Sequence, residues 1–304
     1  MRHLLFTAAL CAVASPLSAA LVRYEPFDHP IVGSTIEGQS TADGGTWVRA
    51  YTDAANPPNS ILVAGGNLAM PSQISPSPSG NSVELNGAGN GTGKALRLPF
   101  ASSAIAANSG GTMYYSLALR VDELTGSTNT TGAFLAALNN TGTASTADPT
   151  AGGARLYARI DPTDASKFNL GIFRNVNATA GSTSWYTTPL TVGETFFIVA
   201  SYEAAVGPQN DVARLWINPD SSTFGDGSFS PLTTPPTVQD VTINTGTDIG
   251  IASLFLRQGP APHVTLDEIR IGTTWADVTP VPEPAGAAVI ALGLVGVMRR
   301  RRRH

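Results

Sequence analysis

The chain has 304 residues, 42% hydrophobic and 13% charged, with 31 glycines and 22 prolines. Soluble domains carry roughly 25% charged residues, so this composition excludes a coiled coil, a helical repeat array and a charge-driven disordered chain. Residues 21–280 hold twelve basic and twenty-one acidic side chains, a net of −9, so nucleic acid and anionic lipid are unfavourable partners for that region.

The first segment reads as an export signal. Met1-Arg2-His3 opens a short basic stretch, Leu4 to Val13 is apolar, and Ser15-Pro16 breaks the run. Ser18-Ala19-Ala20 then places small residues for cleavage after Ala20. The single cysteine, Cys11, falls inside this segment. The mature chain would therefore have neither a disulfide nor a thiol nucleophile, and core burial would have to hold it together.

From Leu21 to Pro280, alternating apolar segments recur between clusters of Gly, Pro, Asn, Asp and Ser, the pattern of an all-β antiparallel sandwich in one domain. In Tyr114 to Val121 the period of two puts Tyr115, Leu117, Leu119 and Val121 on the core side, with Tyr114, Ser116 and Arg120 facing outward. Further strands are expected at 155–160, 168–173, 195–202, 212–218 and 251–257. Loops are expected at 56–59, 70–81 and 139–153. In Val264 to Ile271 the apolar parity changes between Leu266 and Ile269, which favours a β-bulge at Asp267-Glu268, the alternative being a strand buried on both faces for part of its length.

Few residues carry a recognisable chemistry. Hydrolysis of a glycosidic bond needs two carboxylates flanking it, and the adjacent pairs Asp122-Glu123 and Asp267-Glu268 read instead as a strand exit and part of the bulge. No catalytic residue is assigned. His29 and His263 sit beside prolines in loop-like contexts and are too few for a zinc site. Calcium is the one ion considered, at Asp220 and Asp226 in a Ser/Gly-rich loop, with Asp161 and Asp164 as a second acidic pair, although calcium wants 6–8 oxygens. For sugar binding the candidates are Trp185 and Tyr186 in a Ser/Thr/Gly-rich segment, and Trp216, which shares a strand face with Arg214 and Asn218. Trp275 reads as core, and Trp47 is the remaining tryptophan.

At the far end Val281-Pro282-Glu283-Pro284 leads into the apolar run Ala285 to Met298, then Arg299, Arg300, Arg301, Arg302 and Arg303. As a helix the run is about 21 Å long, whereas a full membrane span needs roughly 20 residues. The basic cluster would stay on the cytoplasmic side.

Pro282-Glu283-Pro284, the short apolar run and the arginines resemble the PEP-CTERM sorting signal of bacterial exported proteins. That resemblance implies an exosortase-type membrane transpeptidase as partner, transient membrane insertion through the C-terminal helix, and delivery to the cell surface or extracellular matrix. The stretches Tyr24-Glu25-Pro26-Phe27-Asp28, Asp211 to Pro219 and Leu266 to Trp275 resemble concanavalin A/laminin G-like domains. This second likeness implies a two-sheet jelly roll whose first and last strands pair. Together they lead to the expectation of a non-enzymatic exported protein with a polysaccharide-binding sandwich. A carbohydrate-active enzyme and a purely structural envelope module are the alternatives.

Overall fold

A computed structural model describes residues 21–50, 61–86, 94–100, 105–144, 152–174, 183–240, 247–259 and 262–282. The expected signal helix, the cleavage position Ala20, the loop at 56–59 and the tail from Glu283 through the arginines lie outside the described residues. Among the described residues no helix is long and apolar enough to cross a membrane.

The fold is an all-β sandwich of two antiparallel sheets, with almost no helix among the described residues, and it fits a jelly roll. In the first sheet the order runs from β14 (Val238–Asp240) through β13 (Val212–Ile217), β12 (Thr195–Glu203), β6 (Thr112–Glu123) and β16 (His263–Gly272) to β4 (Ser82–Leu85) and β3 (Leu62–Ala64). Strand β1 (Arg23–Glu25) also joins β16. In the second sheet the order is β10 (Ser184–Trp185), β9 (Lys167–Phe173), β8 (Gly153–Ile160), β7 (Ala133–Asn139), β15 (Ser253–Gln258), β5 (Lys94–Pro99) and β2 (Val48–Arg49). Strand β11 (Leu190–Thr191) pairs with β9.

Between the sheets the alternating positions meet in one core. Tyr115, Leu117, Leu119 and Val121 of β6 face Leu156 and Ala158 of β8, Phe168, Leu170 and Ile172 of β9, and Leu254 and Leu256 of β15. Each such large apolar side chain contributes roughly 1.5–3 kcal/mol by leaving water. The first and last strands pair as the resemblance implied, with Arg23 opposite Ile271 and Glu25 opposite Ile269. The bulge falls where the change of parity placed it. The register of β16 against β6 shifts between Asp267 and Arg270, and Glu268 takes a φ of 55°. The extra residue returns Ile269 and Ile271 to the core side, where both are fully buried.

One expectation about β6 is corrected. Tyr114 and Ser116 do leave the central core, yet both are buried. A second apolar layer covers that side of the first sheet. Tyr114 packs with Ile74, Phe197, Trp216, Phe224 and Trp275, and Ser116 Oγ donates to the Val278 carbonyl at 2.7 Å. Residues after the last strand complete this cover. Thr274 and Asp277 form a capping box around α1 (Trp275–Val278), and Asp277 Oδ2 also accepts from Thr273 N at 2.8 Å. The carboxylate sits so close to Gly272 that a Cβ there would lie 2.1 Å from the Asp277 Cβ.

Candidate functional site: the outer face of the second sheet

The outer face of the second sheet carries a cross-strand row of rings. Gly171 of β9 pairs with Trp185 of β10 on one side and Tyr157 of β8 on the other, and Tyr157 pairs with Phe134 of β7. With no side chain at Gly171, the rings meet over it: Trp185 and Tyr157 are 6.2 Å apart edge to face, and Tyr157 and Phe134 are 5.7 Å apart. A Cβ on Gly171 would lie 2.6 Å from the indole, so this row depends on glycine at that position. Phe134 in turn rests edge-on against the buried Phe255 of β15 at 5.6 Å. The row from β10 to β7 crosses three inter-strand steps, about 14 Å.

Arginines lie over these rings. The guanidinium carbon of Arg159 is 4.2 Å from the Trp185 ring centroid. Those of Arg257 and Arg155 are 4.5 Å and 5.1 Å from the Phe134 centroid. Arg159, Arg257, Arg155, Phe134, Tyr157 and Trp185 are all half-buried. Each stack contributes on the order of 0.5–2 kcal/mol and keeps the guanidinium in one plane. Burial pulls the Arg159 guanidinium below its ordinary value, opposed by the Asp161 carboxylate.

Trp185 thus stands half-buried on the outer face with the Arg159 guanidinium over its ring. Tyr186, expected beside it, alternates to the other side and packs against the core, its amide donating to the Leu170 carbonyl at 2.8 Å. The pair does not form one platform. Trp216, the other candidate for sugar binding, is not on an open face. The ring is 2% exposed, under Phe229 at 5.7 Å and Trp275 at 5.1 Å, because the covering layer fills the side to which strand alternation sends it. Trp275 is core as expected, stacked on Phe229 at 3.9 Å.

The acidic candidates are occupied locally. Asp220 accepts from Ser222 N at 2.9 Å and caps the short 3-10 turn Ser221–Thr223; Asp226 accepts from Ser228 N and Oγ at 2.8 and 2.7 Å. These hydrogen bonds hold both carboxyls below the ordinary aspartate value. Asp161 accepts from Thr163 Oγ1 and N, Asp164 N and Asn169, which lowers it to about 2. Among the described residues no group of three or more His, Cys, Asp or Glu side chains is placed to hold a metal ion, and the calcium expectation at Asp220 and Asp226 finds only two separate turn caps.

His29 is buried rather than at the surface, its Nε2 3.4 Å from Glu25 Oε2. Glu25, which the strand pattern left without a role, is the hub of that corner. It accepts from Phe27 N at 2.7 Å and from Trp47 Nε1 at 2.6 Å. His263 is half-buried at the start of β16, 3.8 Å from Glu84.

Asp267 and Glu268 are both fully buried at the bulge. Asp267 accepts from Leu68 N at 2.9 Å and Glu268 N at 2.8 Å, and burial pushes its carboxyl up to about 8. Glu268 pairs with Arg270 at 2.9 Å and accepts from Tyr24 Oη at 2.9 Å. The pair clasps the incoming segment at Leu68 to the last strand. Neither carboxylate faces an open groove.

No family model matches the chain, and no curated protein matches it. Similar solved structures include an endo-β-1,4-glucuronan lyase from the fungus Trichoderma reesei, at 12% identity, 77% of this chain, 97% of that chain and a TM-score of 0.40. A conserved carbohydrate esterase from the Shiga toxin-encoding bacteriophage phi24B is 11% identical, over 84% of this chain and 100% of that chain, with a TM-score of 0.45. The carbohydrate recognition domain of Emp47p is 10% identical, over 77% and 99%, with a TM-score of 0.38. At these identities no residue role passes from one chain to another.

Proposed function

We propose that this chain is a non-enzymatic exported protein of the bacterial cell surface or extracellular matrix, with a concanavalin A-like jelly roll that binds polysaccharide through the outer face of its second sheet. The observation that carries the binding role is the row Trp185, Tyr157 and Phe134 with arginines fixed over two of its rings. Aromatic faces and edges cover the apolar patches of a sugar ring, while fixed N–H groups orient its oxygens. Support for a non-enzymatic role comes from the carboxylates. Asp267 and Glu268 are sealed at the bulge, and the strands of the second sheet contain no acidic residue that could serve as acid or nucleophile.

Export and sorting rest on the two ends of the sequence, with Pro282-Glu283-Pro284 and Arg299 to Arg303 as the signal for an exosortase-type transpeptidase. The domain would hand over to that signal at a fixed point. Ser75 N donates to the Pro280 carbonyl at 2.9 Å, Gly225 N donates to Thr279 Oγ1 at 3.3 Å, and Pro282 is exposed just beyond.

The test is co-sedimentation of the full chain with the extracellular polysaccharide of the producing cell. Saturable binding that falls about tenfold in Trp185→Ala is the expected result, and no binding by the wild-type chain overturns the role given to the sandwich. For the tail, Glu283→Gln is expected to abolish C-terminal trimming, read by intact mass. Trimming that continues unchanged removes Glu283 from the signal.

A further inference from the structure

The charges of the described strands divide between the two sheets. Strands of the first sheet carry Arg23, Arg120, Arg214 and Arg270 against eight carboxylates. Strands of the second sheet carry seven basic residues and no acidic one. Register places five of the seven, Arg97, Arg155, Arg159, Lys167 and Arg257, on the side away from the core, since their neighbours along each strand are the core residues Leu96, Leu98, Ala154, Leu156, Ala158, Phe168 and Leu256. A region of net charge −9 thus collects positive charge on one sheet face, the one that carries the row of rings.

The geometry of the arginines narrows what they can hold. Arg159 lies over Trp185 with its Nε donating to Asn169 Oδ1 at 3.3 Å, so its guanidinium is held as a fixed positive charge beside the rings, and a fixed cation of this kind attracts carboxylates. Arg155 and Arg257 share the Phe134 ring, which puts two positive charges within about one Debye length of each other. Arg155 and Arg159 are four residues apart on one strand, about 13 Å, so the charges are spread along a line. Arg97, 1% exposed and in register with Phe255, has a Nε with no hydrogen-bond partner among the described residues. The rings are tilted on one another, and Trp185 and Phe134 lie beneath guanidinium groups, which leaves little open ring face for a nucleobase to stack on.

From this segregation we infer that the ligand of the second sheet is an anionic polysaccharide, its sugar carboxylates drawn to the positive charge that Arg159, Arg155 and Arg257 gather on this face and its rings lying against the edges of Trp185 and Tyr157. The inference rests on the reading of this face as a polysaccharide surface and adds the charge class of the polymer.

The experiment measures binding of the full chain to polygalacturonate and alginate, to carboxyl-reduced polygalacturonate, and to a single-stranded poly(dT), each at 50 mM and 500 mM NaCl. The expected result is binding to at least one polyuronate, at least tenfold weaker after carboxyl reduction and at least tenfold weaker at the higher salt. Arg159→Gln and Arg257→Gln are each expected to weaken it about fivefold or more with the thermal midpoint lowered by only a few degrees, and Arg214→Gln, on the first sheet, to leave the binding alone. The wild-type comparisons keep the test decisive even where an arginine variant fails to fold. Equal binding to the carboxyl-reduced polymer overturns the charge class and leaves the polysaccharide face standing. Equal or tighter binding of poly(dT) overturns it in favour of nucleic acid. Binding to none of the four polymers overturns it together with the reading beneath it.

Discussion

On the first sheet Tyr114, Ser116 and Trp216 point away from the central core and are nonetheless buried, whereas on the second sheet Phe134, Tyr157 and Trp185 point away from the core and stay half-exposed. The strands on both sides obey the same period of two. What differs is the chain that returns over them. Segments around Ile74, Phe224, Phe229 and Trp275 close over the first sheet and turn its outward aromatics into a second core. On the second sheet Phe255 and Phe173 are buried as well, whereas Phe134, Tyr157 and Trp185 stay half-exposed, two of them beneath arginines. An outward tryptophan is therefore sealed on one side and half-exposed on the other, and strand periodicity does not distinguish the two.

The largest expected effect breaks or upholds that contrast directly. Trp275→Ala removes a ring stacked on Phe229 and leaves the Thr223 carbonyl without the indole N–H it accepts from at 2.9 Å. A loss of about 3–5 kcal/mol is expected in denaturant unfolding. Trp185→Ala, on the half-exposed face, is expected to cost about 1 kcal/mol. Equal losses would mean that the two faces are sealed alike.

Next in size are two carboxyls with opposite pH behaviour. Asp267 lies under the cover of the first sheet, with its carboxyl raised to about 8 by burial. Between pH 4 and 8 the folded chain keeps a proton there that the unfolded chain has released, so stability falls as pH rises through that window and levels off above it. Asp267→Asn is expected to flatten the fall, measured as the thermal midpoint at pH 5 and pH 9; an unchanged slope would place the titration elsewhere. Asp161, at the end of β8, is lowered to about 2 by its hydrogen bonds. Its contribution is complete above pH 4 and is lost as pH drops toward 2, and Asp161→Ala is expected to remove that acid limb alone.

The smallest effect concerns the turn caps. Asp220→Ala is expected to cost about 1 kcal/mol as a lost cap, with the same cost in calcium and in chelator. A thermal midpoint that rises with calcium in the wild type and not in Asp220→Ala would restore the calcium reading of that loop.

Much of the fold was legible in the sequence. The alternation in 114–121, 155–160 and 168–173 locates β6, β8 and β9, and the change of parity after Leu266 locates the bulge. Tyr186 and Trp216 lie elsewhere than expected for one physical reason. Which side of a strand a residue takes can be read from its neighbours, but whether another segment lies over that side cannot. Glu25 was missed because a carboxylate in an apolar strand looks like a polar face, and only the approach of Trp47 from 22 residues away shows it to be a buried acceptor. Part of the site had a signal: Trp185 stood out in a segment of small residues. Gly171, Tyr157 and Phe134 carried none, since they meet only through strand pairing.

The sequence by itself determined the all-β class, the core side of the long strands and the bulge, because each is written in the local period of apolar residues. It also holds the two end segments from which export and sorting are proposed. The tertiary structure alone decided which strands became neighbours, and with that the gathering of arginines from residues 97, 155, 159 and 257 onto one acid-free sheet. Net charge adds over the chain without regard to place, whereas the potential that a ligand meets depends on which strands hydrogen-bond side by side.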